Sequence, residues 1–453
     1  MRFYRQIIKV VLFILLGTGI CAGQDSTQLL TLDDCIKIGL EKSSHAIRSK
    51  DSIKLSGIEL LGAYGQFLPD LNFNGADNFT SGKQLLTTAG PTLVSERVNA
   101  INYQLYSSFN IFNGLNDYSA LKAAVLNKKA SKFNYQRAQQ AIAYDITQTY
   151  LQMVLDSHVV KFAGQNLEAS NKREEQLTEE TKVGRTAASD VYQQQAETSQ
   201  DKLYLIQSVN KLQNDRIILL TKIRITETDK YSFADMPIDT TPLISDYQNQ
   251  QHVIDEANKN RPDLKAADLS VEMALWKIKQ NRSGYFPKLN LVYGLYSYGG
   301  YFNQLSLNGT PQTLNQEPRT EAYFGQVYGG VALNLSWRIF DKLYTKTAVD
   351  EAKVYSHLAE LDREDLAIGI SSEIKQAYND YSSALQQIET AGKGLEAAHT
   401  SFNVLQSRFD LGKATFVELS NAQAVYLQSQ VSREQAAINL MLQKITIDYY
   451  IGR

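Results

Sequence analysis

Four segments of the chain alternate apolar and polar residues with a period of two. Apolar side chains favour the odd positions of residues 101–111 and 327–339, and shorter stretches of the same pattern occur at residues 71–73 and 289–295. Because neighbouring side chains of a strand point to opposite faces, each segment predicts a β-strand with one apolar and one polar face. Strands with one face for lipid and the other for water are typical of transmembrane β-barrels.

Polar segments lie between the two strands of each pair, at about residues 81–99 and 299–321, and they contain Pro91, Pro311 and Pro318. Outer-membrane barrels expose long loops of this kind on the outer side of the membrane. Aromatic residues cluster near the strand ends, where interfacial aromatics are expected, although ordinary core aromatics would suit the same positions. They are Tyr285, Phe286, Tyr323, Phe324, Trp337 and Phe340.

The rest of the chain predicts helices, and the longest of them are possible because no proline occurs between Thr92 and Met236 or after Arg319. A proline inside a helix would cost about 3 kcal/mol. The predicted helices cover residues 32–66, 115–182, 187–222, 253–283, 343–409 and 415–449. The second of these would be a rod of roughly 100 Å, since an α-helix rises about 1.5 Å per residue.

One helix carries a heptad pattern. Between Ile374 and Phe409, apolar and small residues recur in alternating steps of three and four, which predicts a left-handed supercoil. This seam consists of Ile374, Ala377, Tyr381, Ala384, Ile388, Ala391, Leu395, Ala398, Phe402, Leu405 and Phe409. The equivalent seam of the first half has Ile146, Met153, Val160 and Leu167, with Asp156, Ser170 and Glu174 interrupting it. We therefore expect two coiled coils, the first with the more polar seam.

The chain repeats itself. The turn around Gly184 recurs around Gly412, 228 residues later, and the turn at residues 112–113 recurs at residues 340–341 with the same offset. Repetition at a fixed offset predicts an internal duplication, in which each copy has a helix, two strands and a helical hairpin. The expected repeats are residues 24–250, which include a mid-height segment at residues 231–250, and residues 251–453.

The two hairpin turns have predictable local structure. Gly184 and Gly412 each follow a long helix, so each is expected to end that helix with a positive φ before the chain reverses. A turn at the end of such a long rod is also a natural place for a partner to dock. Thr415 and Glu418 fit the capping-box pattern, which makes helix initiation one role for Glu418, and Asp190 lies equally near a helix start.

The N-terminus is typical of a secretory signal peptide. Residues 1–23 carry three basic residues, then an apolar run, and end in the small residues Cys21-Ala22-Gly23. Cys21 leaves lipidation open as an alternative. After removal of this segment Cys35 is the only cysteine, so no intrachain disulfide is expected.

Composition excludes several classes of function. The net charge of −2, or about −5 without residues 1–23, comes without a basic stretch, so no nucleic-acid partner is expected. The five histidines are scattered, and we find no paired-cysteine motif and no phosphate loop, so we expect no catalytic site, no metal site and no cofactor. Apart from the signal peptide, no apolar run approaches about 18 residues, so membrane entry would require a barrel.

These features together resemble the TolC family of outer-membrane efflux proteins. The most specific motifs are the twin turns, which run from Thr181 to Val191 and from Arg408 to Leu419. The segment Asn260–Leu264 and the strand entries at Pro69 and Pro287 are also similar to the family pattern. The order of these motifs, repeated twice around strands and long helices, carries the resemblance over essentially all of the mature chain.

The resemblance implies an α+β membrane protein in which three chains form one 12-stranded barrel. Each chain would give four strands, and a periplasmic barrel of coiled-coil helices would continue the channel. The number of strands supports an oligomer independently of the resemblance, because four strands cannot close a barrel. Two chains would give eight strands and a filled lumen, whereas three give room for a channel.

The resemblance also implies passive export through the outer membrane of a Gram-negative cell. Its expected partners are two further copies of the chain, outer-membrane lipid, a periplasmic adaptor and an inner-membrane transporter that supplies the energy. We expect the adaptor at the turns formed by Val183, Gly184, Arg185, Leu411, Gly412 and Lys413. A structural or adhesive coiled-coil fibre is the alternative, although a fibre does not need amphipathic strands.

Acidic rings on the second hairpin narrow the periplasmic end in this family. The resemblance places Glu418 at one such position, where aspartate is typical, and Asn421 at another, where an acid is expected. Asp190 is the counterpart of Glu418 in the first repeat. We therefore expect these three residues at or near the aperture, with the neutral Asn421 in place of one of the expected acids.

Overall fold

The computed structural model describes residues 28–86, 92–227, 230–236, 238, 240, 250–316 and 318–453. The predicted signal peptide with Cys21 lies outside these residues, as do Pro91, Pro237 and Pro242 and most of the predicted mid-height segment. The described residues form two compact units, and each unit draws segments from both halves of the chain. The first contains residues from 1–47, 138–260 and 372–453, and the second contains 48–137 and 261–371.

The second unit contains an antiparallel sheet. Its main strands are β2 (Asn72–Leu86), β3 (Thr92–Phe112), β5 (Lys288–Leu307) and β7 (Val327–Ser336), in the order β2-β3-β5-β7. The two-residue strand β6 (Thr310–Pro311) pairs with the end of β5. The prediction of four strands is confirmed.

Cross-strand pairing confirms that the sheet has one apolar and one polar face. Phe73, Leu105 and Leu295 lie directly opposite one another on β2, β3 and β5, and Leu291 lies opposite Leu333 of β7. Directly opposed residues share a face, so the apolar side chains form continuous rows across the sheet. One of the polar rows consists of Asn74, Gln104, Tyr296 and Tyr328.

The predicted strand ends were wrong. β2, β3 and β5 continue through most of residues 81–99 and 299–307, which we had expected as loops, and a short helix, α7 (Arg319–Phe324), lies in the remaining part. Backbone hydrogen bonds of a ladder do not require alternating side chains, so a strand can continue after the apolar face ends. At its other end β7 stops at Ser336, so Trp337 and Ile339 lie beyond the strand.

The aromatic residues near the strand ends differ in exposure. Tyr285, Phe286, Trp337 and Phe340 are 51–77% exposed, and the Trp337 indole Nε1 donates a hydrogen bond of 3.1 Å to the Tyr285 carbonyl. Tyr323 is instead half-buried with its ring edge-on to Tyr301. The four exposed rings lie at one end of β5 and β7.

The long helices are confirmed with small shifts of their ends. The helices are α1 (Leu32–Lys42), α2 (Ser44–Gly65), α3 (Asn116–Lys182), α4 (Ala188–Lys222), α5 (Gln250–Asn260), α6 (Pro262–Arg282), α8 (Tyr344–Asp410) and α9 (Phe416–Ile451). Both α3 and α8 contain 67 residues. No helix among the described residues is both long enough and apolar enough to span a membrane.

Two predicted helices are each divided in the structure. Residues 32–66 form two helices because Ser43 has an extended backbone and its hydroxyl accepts a hydrogen bond from the Ala46 N–H. Residues 253–283 break at Arg261, which is extended before Pro262, the first residue of α6. A residue before proline is pushed out of the helical region, so this break was readable from the sequence.

The core of the first unit surrounds α3. Ile146, Tyr150 and Met153 are buried against α1, the end of α4 and the short parallel pair of β1 (Gln28–Leu30) with β4 (Tyr231–Phe233). The Tyr150 hydroxyl donates to the Ala234 carbonyl at 2.6 Å, which ties the segment after β4 to α3.

The predicted seam residues of α8 are buried or half-buried. Asp156 and Ser170, two of the polar interruptions in the α3 seam, are buried as well. Both seams therefore face protein, and the first buries polar groups that need partners.

Candidate functional site

Both hairpin turns end their first helix in the same way. The Gly184 N–H donates to the Thr181 carbonyl at 3.0 Å and the Arg185 N–H donates to the Glu180 carbonyl at 2.9 Å. At the second turn the Gly412 and Lys413 N–H groups repeat this pair of bonds at 2.8 and 2.7 Å. This is the Schellman motif, in which the glycine takes a positive φ.

The two glycines have the predicted backbone conformation. Gly184 has φ of +75° and Gly412 has φ of +68°, and a Cβ atom at either position would meet nothing within 4 Å. A side chain at these positions would therefore be strained by its backbone and not by its neighbours.

The six residues expected to dock an adaptor all lie on the surface of the turns. Gly184, Arg185, Gly412 and Lys413 are exposed, and Val183 and Leu411 are 71% and 70% exposed. Each turn thus presents one apolar side chain to solvent at its Schellman motif. We name these six residues the tip surface.

Glu418 closes a capping box at the start of α9. Its carboxylate accepts hydrogen bonds from the Thr415 N–H at 2.7 Å and from the Thr415 hydroxyl at 2.8 Å, and its own N–H donates back to that hydroxyl at 3.3 Å. These bonds stabilise the charged form and lower the pKa of the exposed Glu418 carboxyl. Asn421, one turn further on, is exposed on the same side of α9.

The first hairpin starts its second helix differently. Ala187 occupies the cap of α4 and cannot accept a side-chain hydrogen bond, whereas Thr415 does so at the cap of α9. Asp190 is half-buried and accepts a bond of 3.3 Å from the Ser189 hydroxyl. Among the described residues no hydrogen bond or ion pair joins Asp190 to Glu418 or Asn421. Glu418 and Asn421 thus share one side of α9, and Asp190 lies on α4 of the first hairpin.

A buried polar network that sequence reasoning missed links the two hairpins. Arg173 of α3 is 7% exposed and donates to the side-chain oxygens of Gln423 at 2.5 Å and of Gln406 at 3.3 Å. Gln423 in turn donates to Asn166 at 2.6 Å. Burial lowers the pKa of Arg173, although the nearby carboxylate of Glu197 opposes the shift. The network thus holds a buried cation among amide side chains of α3, α8 and α9.

A second buried group lies in the α3 seam. Asp156 is 3% exposed and accepts hydrogen bonds from Lys211 at 2.7 Å and from Gln152 at 3.1 Å. The pKa of Asp215 is raised to about 6, chiefly by its hydrogen bond with Asp156 and then by burial. The polar residues that interrupt the first seam indicated that such contacts exist. The sequence pattern of the seam did not identify the residues of other helices that make them.

The described residues contain no group of three or more His, Cys, Asp or Glu side chains that could hold a metal ion. The arrangement that they do contain is a pair of exposed turns, an exposed carboxylate at a helix start and a sheet with an apolar face.

Comparison with protein-family models identifies the second half of the chain. The model described as "Outer membrane efflux protein" matches residues 253–453. The match therefore covers α6, the strands β5 to β7 and the second hairpin.

Comparisons with individual proteins extend over more of the chain. The outer membrane protein TolC of Escherichia coli K12 is 19% identical over 411 residues, which cover 85% of this chain and 79% of TolC. The crystal structure of the outer membrane protein VceC from Vibrio cholerae matches with a TM-score of 0.77 at 14% identity, over 93% of this chain and 96% of VceC. The Campylobacter jejuni CmeC outer membrane channel matches with a TM-score of 0.78 at 15% identity, over 93% and 85% of the two chains.

Proposed function

We propose passive export across the outer membrane as the function of this chain, which belongs to the TolC family of outer-membrane efflux proteins. The chain is accordingly an outer-membrane protein of a Gram-negative cell and not an enzyme. The single observation that supports a channel best is the sheet, because its apolar rows and polar rows lie on opposite faces. Such a sheet can line a water-filled lumen while it faces lipid.

A homotrimer follows from the edges of this sheet. Within the described strands, β2 and β7 each pair on one side only, and the four main strands cannot close on themselves. Pairing β7 of one copy with β2 of the next satisfies both edges. Three copies give twelve strands, and twelve strands leave an open lumen. In this proposal Leu105 and Leu333 face lipid, whereas Gln104 and Asn334 face the lumen.

The tip surface is the proposed docking site for a periplasmic adaptor, through which an inner-membrane transporter delivers the cargo. Val183 and Leu411 support this proposal, because both turns present an apolar side chain at the same position of the same motif. The two proposed repeats, residues 24–250 and 251–453, would supply the two kinds of tip. Energy for transport comes from the inner-membrane transporter in this scheme.

Mass spectrometry and conductance test the channel directly. The detergent-purified protein should appear as a trimer in native mass spectrometry and should form steady conductance steps in planar bilayers. A trimer without conductance would favour the structural or adhesive fibre, and a stable monomer in lipid would rule out the shared barrel.

Glu418 is the proposed aperture residue, since three copies of an exposed carboxylate around a threefold axis would focus negative potential on the narrowest water. Glu418→Gln should weaken the cation preference of the pore, measured as the reversal potential across a salt gradient. Hydrogen bonds from Thr415 lower the pKa of the Glu418 carboxyl, so its negative charge persists to a lower pH than that of an unbonded glutamate, and acid should mimic the variant only once this carboxyl is protonated.

The glutamine variant leaves the fold intact, because glutamine also closes a capping box at this position. Asp190→Asn is the matched control, because it also removes one negative charge but on the first hairpin. It should shift the reversal potential less than Glu418→Gln does. Unchanged selectivity in Glu418→Gln would reduce Glu418 to a helix cap.

A further inference from the structure

Two lysines flank a tyrosine and a tryptophan in the second unit. Tyr118 is the third residue of α3, and its ring meets Trp276 of α6 edge-on, with 5.7 Å between the ring centroids. The Lys279 ammonium lies 3.9 Å from the centre of the Trp276 ring, and the Lys122 ammonium lies 5.5 Å from the centre of the Tyr118 ring. We name these four residues the aromatic-lysine cluster.

Both ammonium groups of the cluster keep hydrogen-bonding capacity. Lys122 and Lys279 are exposed, and within the described residues their charges contact rings and form no ion pair. Two other exposed helix lysines, Lys172 and Lys393, each form an ion pair with a glutamate one turn away at 2.7 Å. An ammonium above a ring uses one side for that contact and leaves N–H donors for an oxygen ligand.

The cluster lies close to the end of the sheet, where the exposed aromatic residues also lie. Five residues separate Tyr118 from Phe112, the last residue of β3. A single turn after α6 ends at Tyr285, whose carbonyl accepts the hydrogen bond of the Trp337 indole. Residues 277–288 contain four basic residues and no acidic residue, although the whole chain has a net charge of −2. Tryptophan, tyrosine and lysine together at the end of an apolar sheet face are typical of the boundary between membrane and water.

We propose that the aromatic-lysine cluster binds the phosphate group of an anionic phospholipid at the membrane surface next to the long helices. The inference rests on the outer-membrane function proposed above, because lipid must surround the sheet. The two ammonium groups donate to the phosphate oxygens, and the rings of Tyr118 and Trp276 lie at headgroup level. The acyl chains then lie along the exposed apolar face of the sheet, where Leu335 is 72% exposed. Free phosphate lacks this second contact, so the lipid is the ligand.

The test uses the full-length protein in nanodiscs of phosphatidylcholine with a rising fraction of phosphatidylglycerol. Retained phosphatidylglycerol is counted by native mass spectrometry for the wild type and for Lys122→Gln/Lys279→Gln. We expect the double variant to bind this lipid about 30-fold more weakly, which corresponds to ~1 kcal/mol for each lysine near an anionic surface. Lys172→Gln/Lys393→Gln removes the same charge elsewhere on α3 and α8 and should bind normally.

Equal binding by the wild type and the cluster variant would overturn the proposal, and so would an equal loss in the control variant. Fluorescence gives an independent measurement, because the chain has two tryptophans and Trp337→Phe leaves Trp276 as the only one. Brominated phosphatidylglycerol should quench Trp276, whereas inorganic phosphate should leave its emission unchanged. A response to inorganic phosphate alone would overturn the lipid assignment. A protein that does not enter nanodiscs at all would instead contradict the proposed function.

Discussion

Leu333→Arg should prevent most of the protein from inserting, whereas Asn334→Arg, one residue away, should insert almost normally. Leu333 is 61% exposed in the single chain and lies in an apolar row with Leu291, while Asn334 lies opposite Asn290 in a polar row. An arginine on the lipid face near mid-depth costs about 2–4 kcal/mol, and each of the three copies in the proposed trimer would incur this cost. An arginine on the lumen face stays in water. Urea titration of folding into vesicles measures the difference.

Leu105→Arg and Gln104→Arg repeat the comparison on β3. Leu105 lies opposite Phe73 and Leu295, and Gln104 lies opposite Asn74 and Tyr296, so both pairs of variants test the same two faces. Similar losses in all four variants would show that the faces are assigned wrongly. A larger loss from the polar positions would place the apolar rows inside the barrel.

The existence of the strands and long helices could be predicted because each depends on a local period. A strand with one apolar face repeats every two residues, and a helix without proline can run for many turns, as α3 and α8 do over 67 residues each. The ends of the strands were harder to predict than their existence. β3 extends back to Thr92 through Arg97 and Glu96, where the apolar pattern has already stopped, because its backbone still pairs with β2.

The turns and caps could be predicted to the residue, whereas the buried polar contacts could not. Gly412 and the Thr415–Glu418 box depend on residues within a few positions of one another. Arg173 instead meets Gln423, 250 positions later in the chain. A charged residue on a long helix is usually solvated, so only the packing of α3 against α9 distinguishes Arg173 from its exposed neighbours.

Gly412→Trp and Gly184→Trp should abolish export while the trimer still assembles. Both glycines lie in exposed turns with φ near +70°, and the space around each is empty for 4 Å. The strain of a side chain at such a φ is about 1–2 kcal/mol, which is small against the packing of four long helices. The indole would instead cover the tip surface beside Val183 or Leu411. Export of a known pump substrate by cells, together with trimer content on a gel, measures the two effects separately.

Two control variants show whether loss of export comes from the bulk of the indole at the tip, from backbone strain at the glycine, or from an indole anywhere on the helices. Gly412→Ala has the same strained φ without the bulk, so it should retain most export. Gly394→Trp places the same indole on an exposed position of α8 where a Cβ atom also meets nothing within 4 Å, and it should export normally if only the tip contacts the adaptor. Normal export by both tip variants would remove the tips from the docking site. Loss of export in Gly412→Ala as well would mean that the backbone of the turn, and not its surface, is what the adaptor requires.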